Sequence, residues 1–128
     1  MPDPDLTRQR QVVNAFVTAA RGGDLDALLA VLDPEAVLRA DRGGVHHGGS
    51  RIVRGARTIA EQAIFFSRLV QSVKAVLVNG ATGVVSWLPD GRPVSVMGFT
   101  IASGKIVEID VLSDPARLRQ LDLTILDK

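Results

Sequence analysis

The run Ala40-Asp41-Arg42-Gly43-Gly44-Val45-His46-His47-Gly48-Gly49-Ser50 brings together an acid, an arginine, both histidines of the chain and four glycines. A phosphate-cradling Walker loop needs Lys-Ser/Thr after its glycines and a helix opening there, and neither is present. A dinucleotide fingerprint needs a surrounding βαβ unit, which is also missing. His46 and His47 are adjacent, so in an extended chain they point to opposite faces and one metal ion rarely takes both. The chain has no cysteine and no third histidine. A metal would therefore need carboxylates from elsewhere, and the run reads as a polar turn without a metal site. Asp41 is the stronger chemical candidate. Held in an apolar cavity it would lose hydration, its pKa would rise, and it would become a general base; in a plain turn it would bond nearby backbone N–H groups instead. Further on, Glu108 and Asp110 alternate with Val107, Ile109 and Val111, so the two acids share one face of a strand. The favoured assignment turns the valines inward and the acids outward. The reverse register would bring Asp110 beside Asp41 as a second carboxylate.

Composition narrows what such residues can do. In 128 residues, 46% are hydrophobic and 23% charged, which suits one soluble domain over 1–128 with a sizeable core. The net charge is +1, too even for direct nucleic-acid binding. The basic surplus is local: Arg39, Arg42, Arg51, Arg54 and Arg57 stand against Asp41 alone. This is either a solvated rim or a pocket mouth favouring anionic ligands. Absent cysteine excludes disulfides and thiolate chemistry. No apolar run approaches the roughly 20 residues that span a bilayer, and the polar opening MPDPDLTRQR is not a signal peptide. A cytoplasmic protein without membrane contact is expected.

The elements that must position these side chains read as helices first and strands after. Val13, Phe16, Val17 and Ala20 form one helical stripe, stopped by Gly22-Gly23. Asp24 caps a second helix with the stripe Leu25, Leu28, Leu29 and Leu32, ended by Asp33-Pro34. Ala36–Ala40 and Arg51–Val53 are short strand candidates. A third helix runs from Ala56 to about Leu69, with Ile59, Ala63, Phe66 and Val70 on one side. Strands follow near Val73–Val78, Val84–Leu88, Pro93–Ala102 and Lys105–Leu112, with turns at Pro89-Asp90-Gly91 and Ser103-Gly104. A closing helix is expected from Asp114-Pro115. This order predicts an α+β fold with a mainly antiparallel sheet. Ser95, Met97, Phe99 and Ile101 share the bulkier face of the long strand and should meet the helices. The smaller, still apolar face should need covering by a second copy, giving a homodimer.

The order of elements resembles the nuclear transport factor 2-like superfamily, in which a curved sheet wraps round N-terminal helices to form a cone with a central pocket. The detailed runs are similar to the SnoaL-like domain, and in particular to the version at the C-terminus of certain extracytoplasmic-function sigma factors of the SigJ type. They are Ala19-Ala20-Arg21-Gly22-Gly23-Asp24, Asp33-Pro34-Glu35-Ala36-Val37-Leu38-Arg39-Ala40-Asp41, Val53-Arg54-Gly55-Ala56, Val78-Asn79-Gly80, Gly91-Arg92-Pro93 and Gly104-Lys105-Ile106-Val107-Glu108-Ile109-Asp110. Asp41-Arg42-Gly43-Gly44 stands where those sigma factors have Asp-Gly-Gly-Gly. Asp114-Pro115-Ala116-Arg117-Leu118 approximates their Asn-Pro-Asp-Lys-Leu. No sigma regions precede residue 1, so the expectation is a free-standing relative or an excised piece rather than a sigma factor.

The resemblance implies a pocket with Asp41 at its mouth, the place of the carboxylate base in ketosteroid isomerase-like members. There the partner is an oxyanion hole of a tyrosine and a protonated aspartate. This chain has no tyrosine, and Pro93–Ala102 carries no acid. The first expectation is therefore a regulatory or ligand-binding domain for a small apolar or anionic molecule, without a cofactor, whose protein partner is a sigma factor or RNA polymerase. The alternative is a cofactor-independent enzyme of the polyketide cyclase, isomerase or epoxide hydrolase type, with Asp41 as base and Asp110 or a histidine assisting. Arg39 and Arg54 would flank the mouth and hold a ligand carboxylate or phosphate. His46 and His47 would lie beside it. Trp87 and Phe99 are either core residues or walls of an apolar ligand cavity.

Overall fold

Asp5 opens the first helix by accepting hydrogen bonds from the Thr7 and Arg8 N–H groups at 3.0 and 3.3 Å, donors that a first helical turn leaves unsatisfied. The computed structural model describes residues 5–41, 50–70, 72–78, 81–87, 89, 93–113 and 123–125. Helix α1 (Leu6–Gly22) buries Val13, Phe16, Ala19 and Ala20 and stops at Gly23, whose φ of 70° is left-handed. The Gly23 N–H turns back to the last carbonyls, closing the helix as a glycine cap does. Asp24 caps α2 (Leu25–Val31) through the Ala27 N–H at 3.1 Å.

Helix α2 ends sooner than its leucine spacing predicts. Leu32 is the first residue of strand β1 (Leu32–Asp41), where it is fully buried. Pro34 drives Asp33 toward extended backbone, so the chain has left the helix before the proline arrives. The strand tolerates Pro34 because its pairing shifts register between Leu32 and Val37. Lys105 fixes the junction by donating from Nζ to the Ala30 carbonyl at 2.8 Å.

The remaining elements are β2 (Ser50–Arg54), α3 (Ala56–Ser67), β3 (Ser72–Val78), β4 (Ala81–Trp87), β5 (Pro93–Ala102), β6 (Lys105–Leu112) and β7 (Leu123–Ile125). They form one sheet in the order β2-β1-β6-β5-β4-β3-β7. Every neighbouring pair is antiparallel except β1 with β6, which run parallel. The architecture is thus the expected α+β with a mainly antiparallel curved sheet. Ser103 and Gly104 take φ values of 53° and 75°, between the paired residues Ala102 and Lys105. Two consecutive positive φ angles suit the twist of a tight hairpin. Strand β7 was not anticipated. The closing helix from Asp114 and turn residues 90–92 lie outside the described residues.

The main core fills the space between the helices and the inner sheet face. Val13, Phe16, Leu28 and Ile59 meet Val84, Phe99, Ile101 and Ile109 there, and the Phe16 and Phe99 rings pack edge to face at 5.4 Å. The bulky face of β5 therefore meets the helices, as expected. On the opposite sheet face, Val76, Val85 and Val96 form a second cluster with Trp87 against it. These valines are at most 3% exposed. Of the smaller face of β5, Val96 is thus buried within one chain, while Gly98 and Thr100 are half-buried.

Candidate functional site

Strand alternation decides what faces the helices. Leu38 and Ala40 of β1, Val53 of β2, Ile109 and Val111 of β6 and Met97 of β5 all point to the same side and line a cavity of about 540 Å³. Helices α1 and α3 close it from above. The hollow exists because small side chains stand where larger ones would fill it: Ala20 and Ala63 in the roof, Ala40, Ser86 and Ser95 in the floor. Interiors are otherwise close-packed. Ser67 at the end of α3 spends its hydroxyl on the main chain, 2.9 Å from the Ala20 carbonyl and 2.8 Å from that of Ile64. That bond ties α3 to α1 over the cavity.

Besides Gln62, Ser67 and Ser113, the polar lining has two pairs of side chains. Arg21 and Arg51 are exposed and bound the open side, together with Phe65, which is 65% exposed. Ser86 and Ser95 lie in the floor, directly opposite each other on β4 and β5. They are 1% and 2% exposed, and neither hydroxyl has a hydrogen-bond partner. Among the described lining residues there is no carboxylate and no imidazole.

The residues singled out from sequence separate. Asp41 is the last residue of β1, in register with Ser50 and Leu112; its side chain, and His46 and His47 entirely, lie outside the described residues. Arg39 does not flank the cavity. It alternates with Leu38 and Ala40, so it sits on the outer sheet face, its Nε 3.3 Å from Glu108 Oε1. Arg54 likewise alternates with Val53 and is exposed on the side away from the cavity. Phe99 is core, packed on Phe16, and Trp87 packs on the outer valine cluster. Neither aromatic lines the cavity.

The acids of β6 take the outward register, because Ile109 and Val111 face the cavity. Asp110 therefore gives no second carboxylate inside it. On the outer face its pKa is pushed up to about 6 by partial burial and by the Glu108 carboxyl beside it, with Arg39 opposing the rise. The shift thus arises on the outer sheet surface, away from the cavity.

Sequence reasoning missed Ser86, Ser95 and Arg51 as site residues. The signal for Ser95 was present: it is the polar member of a row otherwise made of Met97, Phe99 and Ile101, and a hydroxyl on the core-facing side of a strand needs a reason. Arg51 was counted only as one of five clustered arginines. Its alternation with Ile52 and Val53 separates it from Arg54 by three positions, and hence to the other face.

The family model of the SnoaL-like domain matches residues 13–109. A curated relative, the probable ECF RNA polymerase sigma factor SigI of Mycobacterium tuberculosis, is 33% identical over 116 residues, which is 89% of this chain and 38% of SigI. The chain thus spans well under half the length of that relative. The crystal structure of the M. tuberculosis extracytoplasmic function sigma factor SigJ superposes with a TM-score of 0.71 at 21% identity, over 91% of this chain and 44% of SigJ. An NTF-2 like protein of unknown function from Burkholderia xenovorans LB400 gives 0.60 at 21% identity, over 85% of both chains. With a curved mixed sheet closed over by helices and a family match across most of its length, the chain belongs to the SnoaL-like domain family, on a nuclear transport factor 2-like fold.

Proposed function

We propose that this domain is a non-enzymatic ligand-binding module that regulates transcription, taking a small, mainly apolar molecule between its sheet and helices. The cavity carries the reading: it has a volume of about 540 Å³, apolar walls and, among the described lining residues, no acid or imidazole to move a proton. The likeness to SigI supports the regulatory half. The partner on this reading is a sigma-factor region in the cytoplasm, met either in the same polypeptide or as a separate chain, with a second copy of the domain completing a homodimer.

The test is to fill the cavity and ask what is lost. Ala63→Trp puts an indole into the roof space beside the floor serines. A naphthalene-based fluorescent probe should bind the wild type and lose at least tenfold in affinity on Ala63→Trp. Binding to a sigma factor deprived of its own C-terminal domain should change when the wild-type cavity is loaded. Turnover of a cyclic ketone or epoxide that disappears in Asp41→Asn would overturn the reading in favour of an enzyme.

A further inference from the structure

We infer that Ser86 and Ser95 form a polar anchor for the ligand, selecting molecules that carry an uncharged oxygen, above all a ketone or ester carbonyl, at their inner end. The inference rests on the ligand-binding reading above and names the class of ligand. Two hydroxyls face each other across β4 and β5, almost fully buried, with neither donor nor acceptor satisfied. Buried polar groups are nearly always paired, so two orphans side by side on one cavity floor call for a partner that enters from outside. A carbonyl oxygen has two lone pairs and accepts from both hydroxyls at once.

The surroundings restrict the choice. Around the serines the floor is mainly apolar: Met97 and Val111 continue it, Val73 stands in register with Ser86, and Ser113, just past the Val96–Leu112 pair, adds one further hydroxyl to the lining. A charged group there would lose its hydration with only neutral hydroxyls in return, a poor exchange. The charged lining residues, Arg21 and Arg51, are exposed on the open side. An anionic group on the ligand would therefore lie outward, and the buried end is neutral. Backbone alone does not explain the serines, since β4 and β5 pair through main-chain bonds whatever their side chains.

The experiment uses two probes of equal shape, 2-acetylnaphthalene and 2-isopropenylnaphthalene, which differ by a carbonyl oxygen in place of a methylene. Affinities are measured by calorimetry for the wild type and for Ser86→Ala/Ser95→Ala. If the serines anchor an oxygen, the ketone-to-hydrocarbon affinity ratio is about tenfold higher in the wild type than in the double variant, as two modest hydrogen bonds allow. The double variant keeps its affinity for the hydrocarbon and is at least as resistant to heat, because removing unpartnered hydroxyls costs no internal bond. An equal ratio in both proteins overturns the anchor while leaving the cavity reading intact. Loss of heat resistance in the double variant overturns it too, by showing that the hydroxyls already serve the fold. Failure of both probes to bind the wild type sinks the ligand-binding reading and the anchor with it.

Discussion

Asp110→Asn should stabilise this protein at neutral pH and leave it unchanged in acid. Asp110 and Glu108 project from the same face of β6, and the Arg39 guanidinium is engaged with Glu108 at 3.3 Å. Partial burial, then the hydrogen bond and like charge of the neighbouring Glu108, lift the Asp110 pKa from 3.8 to about 6. A raised carboxylate pKa means that the folded chain holds the proton more firmly than the unfolded one. Between those two values the folded state carries more protons, so this group makes stability fall as pH rises, and its full cost is present above about pH 6. Taken at face value the shift is worth about 3 kcal/mol. Asp110 is exposed, and solvent screening brings the expected effect down to about 1 kcal/mol. Asparagine imitates the neutral acid while keeping its shape. Urea unfolding of wild type and variant should coincide near pH 3.5. By about pH 7 the variant should be ahead by about 1 kcal/mol, or about 3 °C in Tm. A variant less stable than wild type at neutral pH would refute the reasoning, because it would mean that Arg39 outweighs Glu108 at this carboxylate.

Other perturbations test the frame around the cavity. Leu28→Ala removes a fully buried side chain from the main core and should cost about 3 kcal/mol in chemical denaturation. Gly23→Ala forces a Cβ into a backbone with φ of 70°; a loss of about 1 kcal/mol is expected by thermal unfolding.

The helical hairpin was legible because its signals are local: Asp5 was not needed to find α1 once Gly22-Gly23 marked its end, and Asp24 marked the start of α2. The long hairpin of β5 and β6 was legible for the same reason, through Ser103-Gly104 and clean alternation on either side. Local signals failed where tertiary contacts decide. Leu32 fits the α2 stripe as well as it fits β1, and only Pro34 together with pairing to β6 settles the matter. Strand β7 has three residues, too few for a period to show. Arg39 and Arg54 looked like mouth residues because they belong to the arginine cluster around Asp41, yet the parity of Leu38, Ala40 and Val53 turns them away. The cavity itself is a property of small residues drawn from α1, α3, β1, β4 and β5, and no stretch of sequence contains that juxtaposition.

The parallel pairing of β1 with β6 has a consequence for how the polypeptide is made. Leu38 finds Ile109, and Arg39 finds Asp110, across some seventy intervening positions, and contacts so remote along the chain form late and slowly. A nascent product halted before Lys105 would have β1 and β2 packed on the helices but with the β6 side of β1 left unpaired. The two halves of the sheet are joined only through that pairing, so they become one sheet only after β6 has left the ribosome.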